Sequence, residues 1–246
     1  MVSLSTYFTS SVLLMISIIL YACYTREQFY SIIQLLVSSK LSYVAAGNMI
    51  VACTLAAGRV IKYVFLGTLR DTEVEMLYDR FKYSITETLL ALTIFRNELS
   101  PYVILFFGAL LFIKSFHWLA KSRIDYLEQV LPASMLTNIR LYGLLFLLSL
   151  TDALVSYYCV KRTTVVGKTV LVLFAFEFGL LLVSSFSFVV RYSLHLIDIR
   201  MENGLQSKGL YIMMLDLFCE GLKCIIYVIF FANVIVFYGL PIHIVR

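Results

Sequence analysis

Uninterrupted apolar runs long enough to cross a lipid bilayer limit what this chain can fold into more than any other feature. The first run, Leu4 to Tyr24, holds no charged side chain, and the first charge in the sequence is Arg26. At about 1.5 Å rise per residue, about 20 residues cross the hydrocarbon. In lipid every backbone polar group must be satisfied internally, which leaves helices or a closed barrel. Barrel strands would be segments of about ten alternating residues divided by turn residues. Here the runs are continuous, and only 3 Pro and 11 Gly interrupt 246 residues. Hydrophobic residues make up 61% and charged ones 14%, against about 45–50% and about 25% in soluble domains. Mean hydropathy is +0.90. The expected fold is all-α, a polytopic transmembrane helical bundle in a single membrane domain covering residues 1–246.

Seven spans are predicted, at about 5–25, 41–64, 81–95, 101–120, 139–160, 169–190 and 209–238, with 239–246 opening an eighth. Span one lacks the basic n-region of a secretory signal and is expected to be retained. Arg26 to Lys40 is expected to be a polar loop. Arg70 to Lys82 carries mixed charges at helical spacing and is expected to form a solvent-facing helix before span three. Ser100-Pro101 is a helix start.

Lys114 to Gln129 is expected to be the cytosolic exit of span four. It holds the only Trp, Trp118, beside His117, with Lys121, Arg123, Asp125 and Glu128 following. Apolar core, aromatic ring at the headgroup level, then charge is the order a helix shows on leaving a bilayer. On physics alone His117-Trp118 is an interfacial anchor. Lys and Arg crowd the even-numbered connections and their flanks (Arg59, Lys62, Arg70, Arg80, Lys82, Lys114, Lys121, Arg123, Arg140, Arg191, Arg200, Lys208). They are half as many on the odd-numbered ones (Arg26, Lys40, Arg96, Lys161, Arg162, Lys168). That bias puts the N-terminus and the even connections in the cytosol. The net charge of +5 reflects this loop distribution and is no sign of nucleic acid.

Glu87, Asp152, Glu177, Asp216, Glu220 and Lys223 fall inside predicted spans. A charge at a helix centre costs about 2.5–3.5 kcal/mol on insertion scales, so each should face the bundle or a wet cavity. Asp216, Glu220 and Lys223 recur at i, i+4 and i+7, one helical face. A polar cavity lined by them, with Glu87 and Glu177 as further candidates, stands beside a plainer reading as interhelical bonds. The five Cys (Cys23, Cys53, Cys159, Cys219, Cys224) form no CxxC pair and lie far from His117, His195 and His243, so they read as apolar packing residues. No catalytic, cofactor-binding or metal-binding residue is assigned.

Phe116-His117-Trp118-Leu119, followed by Arg123, Asp125 and Glu128, resembles the signature of synoviolin-type ubiquitin ligases of endoplasmic-reticulum-associated degradation. The likeness continues in order through Gln28-Phe29-Tyr30, Phe65 to Arg70 with Glu73 and Glu75, Thr86 to Arg96, Phe176-Glu177, Arg191-Tyr192 with His195 and Asp198, and Gly239 to His243. Related autocrine-motility-factor-receptor ligases share the exit region more loosely. Lys121-Ser122 departs from the acidic residue common there. The resemblance implies an eight-span bundle in the endoplasmic reticulum membrane with cytosolic termini. It also implies a cytosolic zinc-binding RING beyond residue 246, which would recruit a ubiquitin-conjugating enzyme. Five scattered Cys and three His cannot build that RING, so zinc is expected only outside these residues. The implied partners are a derlin-type rhomboid-like protein, a lumenal Sel1-repeat adaptor, misfolded proteins of the organelle, membrane lipids and a second copy of the chain. In the family the bundle forms part of a retrotranslocation path with a cytosol-open lateral cavity. The alternatives are a transporter or channel using the buried charges, which would show inverted repeats or broken helices, an intramembrane enzyme, or an inert scaffold.

Overall fold

The computed structural model describes residues 4–26, 28–94, 100–130, 134–166, 169–201 and 206–238. Within them are eight α-helices and no strand: α1 Leu4–Thr25, α2 Phe29–Ser38, α3 Lys40–Ile61, α4 Asp71–Ile94, α5 Pro101–Leu127, α6 Met135–Val166, α7 Thr169–Arg200 and α8 Lys208–Tyr238. All but α2 and α4 are long and apolar enough to cross a membrane, which makes six candidate spans by length and composition. Residues 239–246, where an eighth span was expected to open, lie outside the described residues.

Two boundaries differ from the sequence reading. Residues 29–38 are helical, not a polar loop. Their apolar side chains Phe29, Ile32, Ile33 and Leu36 recur at helical spacing, which the flanking charges obscured. The charged segment before span three and span three itself are one continuous helix, α4. Neither Pro nor Gly falls between Asp71 and Ile94, so nothing breaks it. Charge in its first half keeps it out of the apolar set.

The chain forms two compact units, residues 1–68 and 69–246. In the first, α1 packs on α3 and α2 touches both. Lipid tails are as apolar as Leu, so helices in a membrane associate through close packing and polar contacts. The α1–α3 contact has both. Ala22 on α1 and Ser42, Ala45 and Ala52 on α3 are buried small residues. The Tyr7 hydroxyl donates to Asn48 Oδ1 at 2.7 Å, and Asn48 Nδ2 donates to Ser11 Oγ at 2.9 Å. A π-turn, Lys62–Leu66, continues α3, and the Gly67 N–H closes it on the Lys62 carbonyl at 2.8 Å. Gly67 sits at φ 68°, where a side chain would be strained.

In the second unit α5 and α7 are central. α5 packs on α4, α6 and α7, while α7 packs on α5, α6 and α8. Ser100 caps α5 by accepting from the Val103 N–H at 3.4 Å, with Pro101 in the first turn, as the sequence predicted. α6 buries Leu141, Leu144, Leu145, Leu148, Asp152 and Cys159, a single stripe at helical spacing. An aromatic core holds the end where α5 and α7 begin. Phe107 meets Phe174 with centroids 4.8 Å apart, Phe106 meets Phe174 at 5.3 Å, and Phe176 stacks on Phe230 of α8 at 4.4 Å.

Candidate functional site: a charged cleft in the second unit

The polar residues of the second unit gather between the middle of the helices and the end where α4 and α8 start and α5 and α7 finish. That end carries the even-numbered connections. Glu73, fully buried, organises the α4 side of it. Its Oε2 accepts from the Arg70 backbone N–H at 3.0 Å and from Arg123 Nη2 at 3.1 Å, and its Oε1 accepts from Arg70 Nη2 at 3.3 Å. The carboxylate thereby caps the first turn of α4, where its charge also suits the helix dipole. The Arg70 guanidinium lies over the Tyr126 ring, 3.6 Å from the centroid.

Arg191 of α7 does the same for the end of α5. Its Nε and Nη2 donate to the two oxygens of Glu128, each at 2.9 Å, and Nη2 is 3.6 Å from Asp125. The planar guanidinium matches the planar carboxylate, which fixes orientation as well as distance. Lys208 joins α8 to the end of α7 through Asp198 at 2.9 Å and His195 Nδ1 at 3.1 Å. Tyr192 donates to Asn138 at 2.6 Å, tying α7 to α6.

Deeper in the bundle, His117 Nε2 stands 3.0 Å from Asp152 Oδ2 on α6. Ser185 of α7 completes the group, its hydroxyl 3.5 Å from His117 Nδ1 and 3.4 Å from the same carboxylate oxygen. His117 is 2% exposed, and Asp152 and Ser185 are fully buried. The His117-Trp118 pair was expected to be an interfacial anchor; in the structure His117 points inward. Trp118 meets Phe81 of α4 edge-on at 5.7 Å. Adjacent residues on a helix point about 100° apart, so one can face the core while the other faces a groove. A Ser, a His and an Asp so close invite comparison with a hydrolytic triad. The Ser185 oxygen is inaccessible and sits mid-helix, where backbone N–H groups are already engaged, so no oxyanion could be stabilised there. The group joins three helices.

A cavity of about 260 Å³ opens beside it. Arg80 of α4, Lys121 and Asp125 of α5, Ser184, Ser187, Phe188 and Arg191 of α7, and Asp216, Cys219, Glu220 and Lys223 of α8 line it with His117 and Trp118. Asp216, Glu220 and Lys223, named from sequence for their common face, thus border one cavity. Lys223 Nζ donates to Glu220 Oε1 at 2.8 Å. A neighbouring cavity of about 270 Å³ shares Arg80, Trp118 and Leu181 with the first and adds Glu87 and Lys114. Glu177, the remaining candidate, is bound to Lys114 Nζ at 2.8 Å.

Of the exit residues, Arg123, Asp125 and Glu128 are engaged in the ion pairs above. Sequence reasoning placed Asp152 inside a span without finding its partner, and left Arg80 and Lys121 outside the site. The signal for Arg80 and Lys121 was weak: basic residues near helix ends are ordinary at interfaces. Among the described residues no group of three His, Cys, Asp or Glu is placed to hold a metal ion. The five cysteines are unpaired, with Cys159 and Cys219 buried.

These features define a class: a polytopic helical membrane bundle with an ionic cap around a charged cleft. Residues 3–246 match the family described as "E3 ubiquitin-protein ligase synoviolin-like, TPR repeats", and the chain belongs to that family. It is similar to the ERAD-associated E3 ubiquitin-protein ligase hrd1 of Schizosaccharomyces pombe, with 25% identity over 242 residues. That alignment covers 98% of this chain and 36% of the relative, so the chain spans about a third of the relative's length.

Proposed function

We propose that this chain is the membrane-embedded part of a ubiquitin ligase of endoplasmic-reticulum-associated degradation, and that its charged cleft borders the route by which misfolded polypeptides leave the organelle. The observation that carries this reading is the meeting of Asp216, Glu220 and Lys223 with His117, Trp118 and Arg191 around one cavity. An unfolded segment brings unpaired N–H and C=O groups, each costly to expose to hydrocarbon. Charged side chains and the water they hold offer those groups partners.

In this reading the protein resides in the endoplasmic reticulum membrane with its N-terminus in the cytosol. The even-numbered connections and the ionic cap then face the cytosol, and the cleft opens toward the same side. A cytosolic RING following residue 246 would recruit the ubiquitin-conjugating enzyme. A derlin-type rhomboid-like protein would stand beside the cleft, a Sel1-repeat adaptor would deliver substrate from the lumen, and a second copy of the chain is a further partner.

The test replaces Asp216 and Glu220 with Leu in the full-length ligase and follows degradation of a misfolded lumenal protein. Slower degradation at unchanged ligase level is expected; undiminished degradation rejects the role of the cleft. The buried His117–Asp152 pair favours a second reading, an ion path, since such pairs occur in proton relays. Proton flux into liposomes holding only this chain, abolished by Asp152→Asn, would favour it.

A further inference from the structure

Among the charges around the cleft, Asp125 on the α5 side is held by Arg191 and Lys223 on the α8 side by Glu220, and the remaining ones are sorted. α4 packs on α5, α5 on α7 and α7 on α8, so α4 and α8 form the two flanks of the cavity that all four line. On the α4–α5 side stand Arg80 and Lys121, both exposed and with no ion pair described for either. On the α8 side stand Asp216, also without an ion pair described, and Glu220, which gives only Oε1 to Lys223. Arg191 is already engaged by Glu128 and Asp125.

From this arrangement we propose that the cavity seats one zwitterionic phospholipid headgroup, its phosphate against Arg80 and Lys121 and its ammonium against Asp216 and Glu220. A plain anion brought to the two cations would lie in the field of the acidic flank. A plain cation would meet the reverse. A headgroup carrying both charges satisfies both sides at once, through charge-assisted hydrogen bonds at the phosphate.

Size and surroundings agree. About 260 Å³ falls below the roughly 300–1,000 Å³ of pockets for drug-sized ligands, which suits a headgroup whose acyl chains remain outside. Beside the acidic flank, Leu217 and Phe218 of α8 are 70% and 57% exposed, an apolar surface along which those chains can lie. The proposal goes beyond the passage of polypeptides and does not depend on it, because it is read as binding to the purified protein.

The experiment is native mass spectrometry of the detergent-purified protein with added phosphatidylcholine, phosphatidylethanolamine or phosphatidylglycerol, and with free phosphocholine as the soluble headgroup. Retention of one zwitterionic lipid about tenfold over phosphatidylglycerol is expected, as is a fall of about tenfold in Arg80→Ala/Lys121→Ala, the size of one lost charge-assisted hydrogen bond. Asp216→Asn should narrow the preference over phosphatidylglycerol. Equal retention of all three lipids by the unaltered protein, or unchanged selectivity in both variants, overturns the proposal. Free phosphocholine binding as tightly as the lipid keeps the zwitterion site but makes its ligand soluble. If the double variant does not elute as a folded species, Asp216→Asn alone decides.

Discussion

Asp152 Oδ2 lies 3.0 Å from His117 Nε2, and both side chains are buried. The contact joins α5 to α6, and Ser185 brings in α7. Removing one partner leaves the other buried without compensation, at about 1–3 kcal/mol for an unsatisfied polar group. Asp152→Ala is therefore expected to lower the thermal midpoint in detergent. The double replacement His117→Leu/Asp152→Leu should recover most of the loss, since an apolar pair carries no unmet charge. A midpoint for Asp152→Ala equal to that of the unaltered protein would remove the pair from the account.

Arg191 of α7 and Glu128 at the end of α5 form the two-pronged pair. A double-mutant cycle on Arg191→Ala and Glu128→Ala is expected to give a coupling of about 1 kcal/mol. Arg191→Lys should restore little of it, because an ammonium cannot address both oxygens in one plane. Strict additivity of the two single changes would show the pair to be idle.

Glu73 and Glu75 are near neighbours on α4 with opposite surroundings, the first fully buried and the second exposed. Glu73→Ala removes the carboxylate that Arg70 and Arg123 share and should destabilise by about 3 kcal/mol. Glu75→Ala should fall within about 0.5 kcal/mol of the parent. Thermal unfolding of the two variants side by side checks the contrast.

The cleft can be probed for water directly. In a background where Cys23, Cys53, Cys219 and Cys224 are replaced by Ala, Asp216→Cys and Glu220→Cys should react with a membrane-impermeant maleimide, while Leu217→Cys should not. Labelling equal at all three positions, or at none, would favour an inert scaffold over a hydrated cleft.

Asn48 bridges α1 and α3 through Tyr7 and Ser11. Interhelical hydrogen bonds in membranes contribute about 0.6 kcal/mol on average and reach about 1.7. Asn48→Leu is expected to cost an amount in that range, read as a small drop in midpoint. A larger loss would show that Asn48 carries packing beyond its two bonds.

The fold class was legible because the apolar runs are longer than any soluble core helix needs and few residues interrupt them. The common helical face of Asp216, Glu220 and Lys223 was legible for a related reason: one helical period relates them, and period is local information. The partner of Asp152 was not legible. His117 lies 35 positions away on another helix, and its neighbour Trp118 suggested an interface. The sequence resemblance collected Glu73, Arg123, Glu128 and Arg191 into one set without saying who pairs with whom, since pairing is decided by helix rotation. The extent of α4 was missed because its charge content changes midway while its backbone does not.

The second unit is fastened differently at its two ends. Near the even connections, carboxylates grip guanidinium and ammonium groups; at the opposite end, Phe107, Phe174, Phe176 and Phe230 interlock. Concentrated salt should slacken the more exposed pairs of the first clasp, at Asp125 and Asp198, and spare the aromatic one. Such a bundle would part like a clothes peg, spreading at its ionic mouth while its aromatic heel holds.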